Sequence, residues 1–172
     1  MNLKFALIAP LSIALAAPAA AAAAPTDPQI AHIAYTAGVI DIAAGKQALA
    51  KSHNKAVRGF AEEMVRDHKA VNDKALALVK KLKVTPQDNP TSQALNKGAK
   101  AELAKLAKLN GAAFDRAYVD NEVAYHKTVN GALASTLIPN AHNAELKSLL
   151  ETGLTLFKEH QAHAEQIAKE LK

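Results

Sequence analysis

Apolar residues recur every three to four positions along most of the chain, the spacing of one buried face on an α-helix. The first such stretch follows Asp27, which can cap a helix whose next residue is proline, and it predicts helix one over residues 28–51. The pattern resumes after Ser52 or Asn54, either of which can cap the next helix, and continues to about Leu82. The first half of the chain therefore predicts two helices joined by a short turn.

The second half repeats this pairing after a break. The segment KVTPQDNPTS carries two prolines and predicts a loop that ends near Ser92. A shorter amphipathic connector then runs to Asn110, helix three is predicted over 112–136, and a final helix of about 30 residues follows Pro139 and Asn140. Short connections make each pair antiparallel, while the connector carries the chain along the bundle. The sequence predicts an all-α fold, a four-helix bundle with a short helical crossover between helices two and three.

The N-terminal residues resemble a secretory signal peptide. A short region with Lys4 precedes an apolar run and then small residues suited to cleavage near Ala23 or Ala24. A membrane anchor is the competing interpretation, but Pro10 and Pro18 interrupt the run and alanine is a weak hydrophobe. We expect residues 1–24 to be a signal peptide, residues 25–172 to form one domain, and the mature protein to be periplasmic or secreted.

Composition narrows the classes of partner. The formal net charge is +5, and cleavage removes Lys4 to leave +4, with lysines interspersed among acidic residues. Aromatic residues make up only 4% of the chain, so the stacking surfaces that bind single-stranded nucleic acid are nearly absent. There is no cysteine, which excludes disulfides, thiolate metal ligands and lipid attachment at cysteine. We expect no nucleic-acid partner and no integral membrane segment in the mature chain, and a protein partner is unknown.

Ionisable residues lie on the face of each helix that is predicted to be buried. On successive long helices these residues are Asp41, His68, Glu122 with His126, and His160. Each lies near the middle of its own helix, so antiparallel packing at about 1.5 Å per residue would bring them into one layer. The rest of the stripe around His160 is predicted to contain Leu146, Leu149, Gly153, Leu156, Ala164, Ile167 and Leu171.

Two interpretations of this layer remain open. Three imidazoles and one or two carboxylates suit zinc, iron, copper, nickel or manganese better than calcium. Alternatively, the layer is a buried hydrogen-bond network in which Asp41 and Glu122 are joined by Asn72 and Asn130 as partners of the histidines. His163 is a further candidate ligand nearer the edge of the stripe. The remaining histidines fall near helix starts and are expected to face solvent: His32, His53 and His142.

Three segments of the chain resemble the domain of unknown function 4142 family of bacterial exported proteins. They are GVIDIAAGKQALAKSHNKAVRGFAEEMVRDH, FDRAYVDNEVAYHKTV and FKEHQAHAEQI. The most specific elements are the Asp67-His68 pair, Phe-Asp-x-x-Tyr from Phe114 to Tyr118 with His126 following, and His160. The resemblance covers nearly all of the mature chain and implies a ferritin-like fold. Family members often carry Glu where this chain has Asp41, a side chain one methylene shorter.

The sequence favours a binding protein over an enzyme. A di-iron site of the ferritin-like kind needs Glu-x-x-His pairs, and this sequence contains none, so oxidase or ferroxidase activity is not expected. No cysteine is present, and no serine accompanies the histidines on the central stripes, so no catalytic residue is predicted. We expect an exported protein whose His/carboxylate centre binds one transition-metal ion, zinc or iron, for metal handling or envelope stress. The alternative is a structural or protein-interaction module in which the polar layer only fixes helix register.

Overall fold

The computed structural model describes residues 23–171, and this part of the chain is all-helical, with no β-strand. The predicted signal peptide lies outside the described residues except for Ala23 and Ala24, which are exposed. The helices are α1 (Asp27–Lys51), α2 (Lys55–Leu82), α3 (Pro90–Ala107), α4 (Gly111–Ala132), the one-turn α5 (Ile138–Asn140) and α6 (Ala144–Glu170), with a π-helical segment, Leu133–Leu137, between α4 and α5.

Side-chain caps explain where most of these helices begin. Asn54 Oδ1 accepts hydrogen bonds from the backbone N–H groups of Ala56 and Val57, which confirms one of the two predicted caps of α2. For α1 the cap is one residue earlier than predicted, at Thr26, whose N–H donates to the Gln29 side chain. The predicted cap of α1, Asp27, instead accepts hydrogen bonds from two backbone N–H groups just before α6, at His142 and Asn143.

The end of predicted helix three differs from the expectation. The chain does not leave the helical conformation near residue 136 but widens into the π-helical segment and then continues to Asn140. Within this segment the N–H of Ile138 donates to the carbonyl of Leu133, five residues earlier. Pro139 lacks an N–H, and its ring would press on the carbonyl four residues earlier in a regular α-helix. A wider turn before the proline removes that conflict, so the proline modifies the helix without stopping it.

The long helices pack α1 on α2, α4 on α6 and α2 on α6, while α3 lies mainly on α1. Their buried apolar residues form two separate clusters. The first core contains Ala44, Ala48, Val57, Phe60, Ala61, Met64, Leu106, Phe114, Tyr118, Val119, Ala164 and Ile167. The second core contains Ile30, Ala31, Ile33, Leu133, Leu137, Ala141, Leu146, Leu150 and Phe157.

Each long helix that contributes to both cores carries its polar residue between them. In α1, for example, Asp41 lies after Ile33 of the second core and before Ala44 of the first. On α6 the buried face differs from the predicted stripe, because Leu150 and Phe157 are buried where Leu149 and Leu156 were expected, and the latter two are half-buried. The predicted face is that of an isolated straight helix. The actual buried face of α6 is set by its contacts with α2 and α4. No helix within residues 23–171 is both long and apolar enough to span a membrane.

Candidate metal centre

The five ionisable residues predicted to share a layer do come together between the two cores. Asp41 from α1, His68 from α2, Glu122 and His126 from α4, and His160 from α6 are each no more than 2% exposed. Glu122 and His126 lie one helical turn apart, so both point to the same side of α4. The layer is therefore built by side chains from all four long helices.

The three imidazoles form a nearly equilateral triangle. Ring centroids are 5.3 Å apart for His68 and His160, 5.5 Å for His126 and His160, and 5.7 Å for His68 and His126. One nitrogen from each ring lies within 4.8 Å of the corresponding nitrogens of the other two. Each imidazole can therefore offer a lone pair to a common point.

Hydrogen bonds hold two of these rings by one of their two nitrogens. The Nδ1–H of His126 donates to the backbone carbonyl of Glu122 at 3.0 Å, and the Nε2–H of His160 donates to Asp67 Oδ2 at 3.2 Å. Within residues 23–171 the opposite nitrogens, His126 Nε2 and His160 Nδ1, have no hydrogen-bond partner, and neither nitrogen of His68 has one. Histidines that bind metal ions are oriented in this manner, by a carboxylate or a carbonyl at the second nitrogen.

Two buried carboxylates lie beside the imidazoles. Asp41 Oδ2 is 3.4 Å from His68 Nε2, and Glu122 Oε2 is 3.5 Å from His126 Nδ1. Asp41, Glu122 and His126 form a second group whose ligand atoms lie within 4.8 Å of one another. Burial raises the pKa of Asp41, and the neighbouring Glu122 carboxylate raises it further. Both Glu122 oxygens lack a hydrogen-bond partner in the described part of the chain, so this buried carboxyl group is left without a protein donor.

Burial favours the neutral form of two of the histidines, which is the form that binds metal ions. Burial lowers the pKa of His68, and the nearby His126 and His160 imidazoles lower it further. Burial also lowers the pKa of His160, while its hydrogen bond to Asp67 acts in the opposite direction. Neutral imidazoles with free lone pairs need lose no proton before they coordinate an ion.

Two residues that position this layer were not predicted from the sequence to have a role in it. Asp67, at the edge of the layer, receives the Nε2–H of His160 and is itself held by the Arg66 guanidinium, whose Nε lies 2.7 Å from Asp67 Oδ1. That guanidinium first, and the His160 hydrogen bond second, lower the pKa of Asp67, so it is an ionised acceptor. Phe157 stacks on His68, with ring centroids 4.6 Å apart and planes 15° apart. For Asp67 the sequence did contain a signal, the adjacent pair Asp67-His68. Adjacent residues on a helix point to different neighbours, so Asp67 can bind His160 while His68 lies in the layer.

The amides expected to be hydrogen-bond partners of the histidines bind elsewhere. Asn72 Nδ2 donates to the Tyr35 carbonyl at 3.4 Å. Asn130 Nδ2 lies 3.1 Å from both the Phe157 carbonyl and Gln161 Oε1. Neither amide is bonded to an imidazole of the layer, so the hydrogen-bond network expected from the sequence is incomplete.

The remaining histidines lie outside the layer. His163 is on the outer side of α6, where its Nδ1 lies 2.7 Å from Glu63 Oε2. His53 and His142 are exposed, as predicted, whereas His32 is half-buried with its Nδ1 3.9 Å from Asp88. None of these four belongs to a group of potential metal ligands among the described residues.

Comparison with known proteins gives a family without an assigned activity. No curated protein and no solved structure matches the chain. The family model described as a domain of unknown function (DUF4142) matches residues 13–167, a range that contains the four long helices almost entirely and every residue of the polar layer. The chain therefore belongs to the DUF4142 family.

Proposed function

We propose that this chain is an exported bacterial protein that binds one transition-metal ion, zinc or iron, with His68, His126 and His160 as ligands. Two observations carry the proposal. The imidazoles of three helices bring ring nitrogens within 4.8 Å of one another, and each of the three rings has a buried nitrogen without a hydrogen-bond partner in residues 23–171. A buried polar atom without a partner costs about 1 to 3 kcal/mol, and an ion that coordinates all three would remove that cost. Imidazole nitrogen is a ligand that zinc and iron both accept.

The dimensions of the triangle suit such an ion. A tetrahedral ion with bonds of about 2.1 Å places its ligand atoms about 3.4 Å apart. The ring nitrogens lie within 4.8 Å of one another, so coordination requires each ring to move inward by no more than about 1 Å. Phe157 and Asp67 limit how the rings can turn, which favours this inward shift over a different arrangement.

Charge also fits a divalent ion. The lowered pKa values of His68 and His160 favour their neutral forms, and Asp41 and Glu122 together carry two negative charges when both are ionised. A divalent ion in the layer would compensate both charges, and either carboxylate could complete the coordination. The bound ion would hold the four helices together. The protein would store or deliver this metal, as expected of a protein for metal handling or envelope stress.

Export and the class of bundle are parts of the same proposal. The N-terminal sequence supports removal of residues 1–24 and a periplasmic or secreted mature chain of one domain, 25–172. The packing of α1, α2, α4 and α6, with α3 as the crossover, supports a four-helix bundle of ferritin-like type. The lack of Glu-x-x-His pairs in the sequence argues against di-iron oxidase chemistry in this bundle.

A second candidate role is supported by the position of the layer between the two apolar cores. In this alternative the polar residues align the helices and bind no ion, because any slip by one turn would place an imidazole in an apolar core. A structural or protein-interaction module would need nothing more from the layer. The two candidates differ in whether added metal changes the protein.

Metal titration with paired variants on α6 separates them. Chelator-treated protein is titrated with Zn²⁺ and, anaerobically, with Fe²⁺ by calorimetry, as wild type, His160→Ala and His163→Ala. We expect one ion per chain in wild type and in His163→Ala, since His163 lies on the outer side of the helix. His160→Ala should weaken binding by at least about 100-fold, because the loss of a ligand exceeds the usual effect of losing a group behind it. If wild type and His160→Ala bind metal equally, or if wild type binds neither ion, the metal proposal is wrong. The alignment of the helices would then be the remaining role of the layer.

A further inference from the structure

The second core contains a cavity of about 190 Å³ between α1, α2, α6 and the segment that links α4 to α5. Its walls are formed almost entirely by aliphatic side chains, and Phe157 closes the end next to His68. Among the described residues that line it there is no carboxylate, lysine, arginine or histidine. The polar side chains that line it are those of Tyr35, Asn72, Thr91 and Thr128.

The two cores differ in how their residues are buried. In the first core Phe60, Met64 and Phe114 have no exposed surface. The second core is different, because small residues face the cavity where larger ones would fill it. Ala34 and Ala75 are two of these, on α1 and α2.

The backbone around the cavity is also irregular. The π-helical segment forms part of the wall, and its Leu133 and Leu137 side chains line the space. Single π-helical turns inside α-helices occur frequently at functional sites. On the facing helix, Gly153 lies so close to Phe157 that an added Cβ would be 3.3 Å from the ring. A wide turn and a glycine therefore leave open a space that regular helices with larger side chains would close.

We propose that this cavity binds a small uncharged apolar molecule about the size of one methylated aromatic ring. The volume is similar to that of engineered apolar cavities of about 150 Å³, which stay dry and bind benzene. An ionised ligand is disfavoured, since the lining offers no opposite charge and burial of an unpaired charge is costly. This inference is independent of the metal proposal, because the cavity lies on the other side of Phe157 from the imidazoles.

Toluene and benzoate, which share a ring but differ in charge, are the probes. Each is titrated into the whole chelator-treated protein by calorimetry, and melting is recorded at saturating toluene. We expect toluene to bind one site per chain, with a negative heat-capacity change, and to raise the melting temperature. Benzoate should bind at least about 10-fold more weakly. Equal binding of both probes, or no toluene binding near its solubility limit, would overturn the proposal.

Variants locate the binding site. Ala75→Leu and, on a different helix, Ala34→Leu fill the cavity and should weaken toluene binding at least about 10-fold. Ala70→Leu is the matched control, since Ala70 is on the exposed side of α2. Helical circular dichroism and cooperative melting verify that each variant is folded. If both filled variants bind toluene as wild type does, the ligand sits elsewhere and the assignment of this cavity is wrong.

Discussion

Replacement of Asp41 by Asn should make the metal-free protein more stable and the metal-bound protein less so. Asp41 is 2% exposed, faces Glu122 and has His68 as its nearest basic group, 3.4 Å away. The pKa of His68 is lowered, so that imidazole supplies no positive charge at neutral pH. An ionised Asp41 is therefore a buried charge next to a second carboxylate, and Asn removes the charge while keeping the shape.

The sign of this effect follows from the raised pKa of Asp41. A group whose pKa is raised by folding contributes stability below its unfolded value, near 3.8, and that contribution is lost as the pH rises through the folded value. Each unit of such a shift corresponds to about 1.4 kcal/mol. We expect Asp41→Asn to increase the free energy of unfolding by about 1 to 3 kcal/mol at pH 7, and the gain to shrink as the pH falls.

Urea unfolding in the presence of a chelator, between pH 5 and 8, measures this difference. Asp73→Asn is the control, because Asp73 is exposed and pairs with Lys69 at the surface, where such pairs contribute at most about 1 kcal/mol. With added Zn²⁺ we expect wild type to be more stable than Asp41→Asn, the reverse of the order in chelator. The variant lacks a negative charge beside the ion. If Asp41→Asn lowers the stability of the chelated protein, Asp41 is held by a protonated imidazole and does not carry an uncompensated charge.

Three further outcomes are expected. Asp67→Asn should weaken metal binding by about 10 to 100-fold in the same titration without unfolding the protein, because it alters only the group behind His160, and unchanged affinity would contradict the positioning role. Chelated Asp41→Asn protein, which lacks the opposite pH dependence of Asp41, should lose stability as the pH falls below about 6.5, because the lowered pKa values of His68 and His160 make protonation destabilising; a flat urea-derived profile would contradict this. Gly45→Ala should lower the free energy of unfolding by about 1 to 2 kcal/mol, because its Cβ would be 3.0 Å from the Ala61 carbonyl on α2. Gly59→Ala, whose Cβ would meet nothing within 4 Å, should raise it by up to about 1 kcal/mol, and thermal melts measure both changes.

Helix bounds were the most predictable part of the fold because they depend on local chemistry. The end of α2 at Leu82 and its cap at Asn54 follow from the apolar period and one side chain. The π-helical segment could not be predicted in this way, since LASTL has an ordinary helical composition. Its conformation depends on Pro139 and on the packing of the chain against α6.

Convergence of the five polar residues was predictable because direction and height along each helix can be calculated. Which atom of each ring faces the others could not be calculated, since it depends on partners such as the Glu122 carbonyl and Asp67. Phe157 was missed for a related reason: the ideal 100° rotation placed Leu156 in the stripe, and only the contact with His68 shows which neighbour is buried.

The π-helical segment changes what the loss of one residue would do to this protein. Each such turn holds one more residue than an α-helical turn, so the segment can be regarded as a single-residue insertion retained within a helix. A deletion at the exposed Ser135 would allow regular i to i+4 bonding to resume and would rotate Leu137 relative to Leu133. Changes in length at this point would therefore alter the shape of the interior.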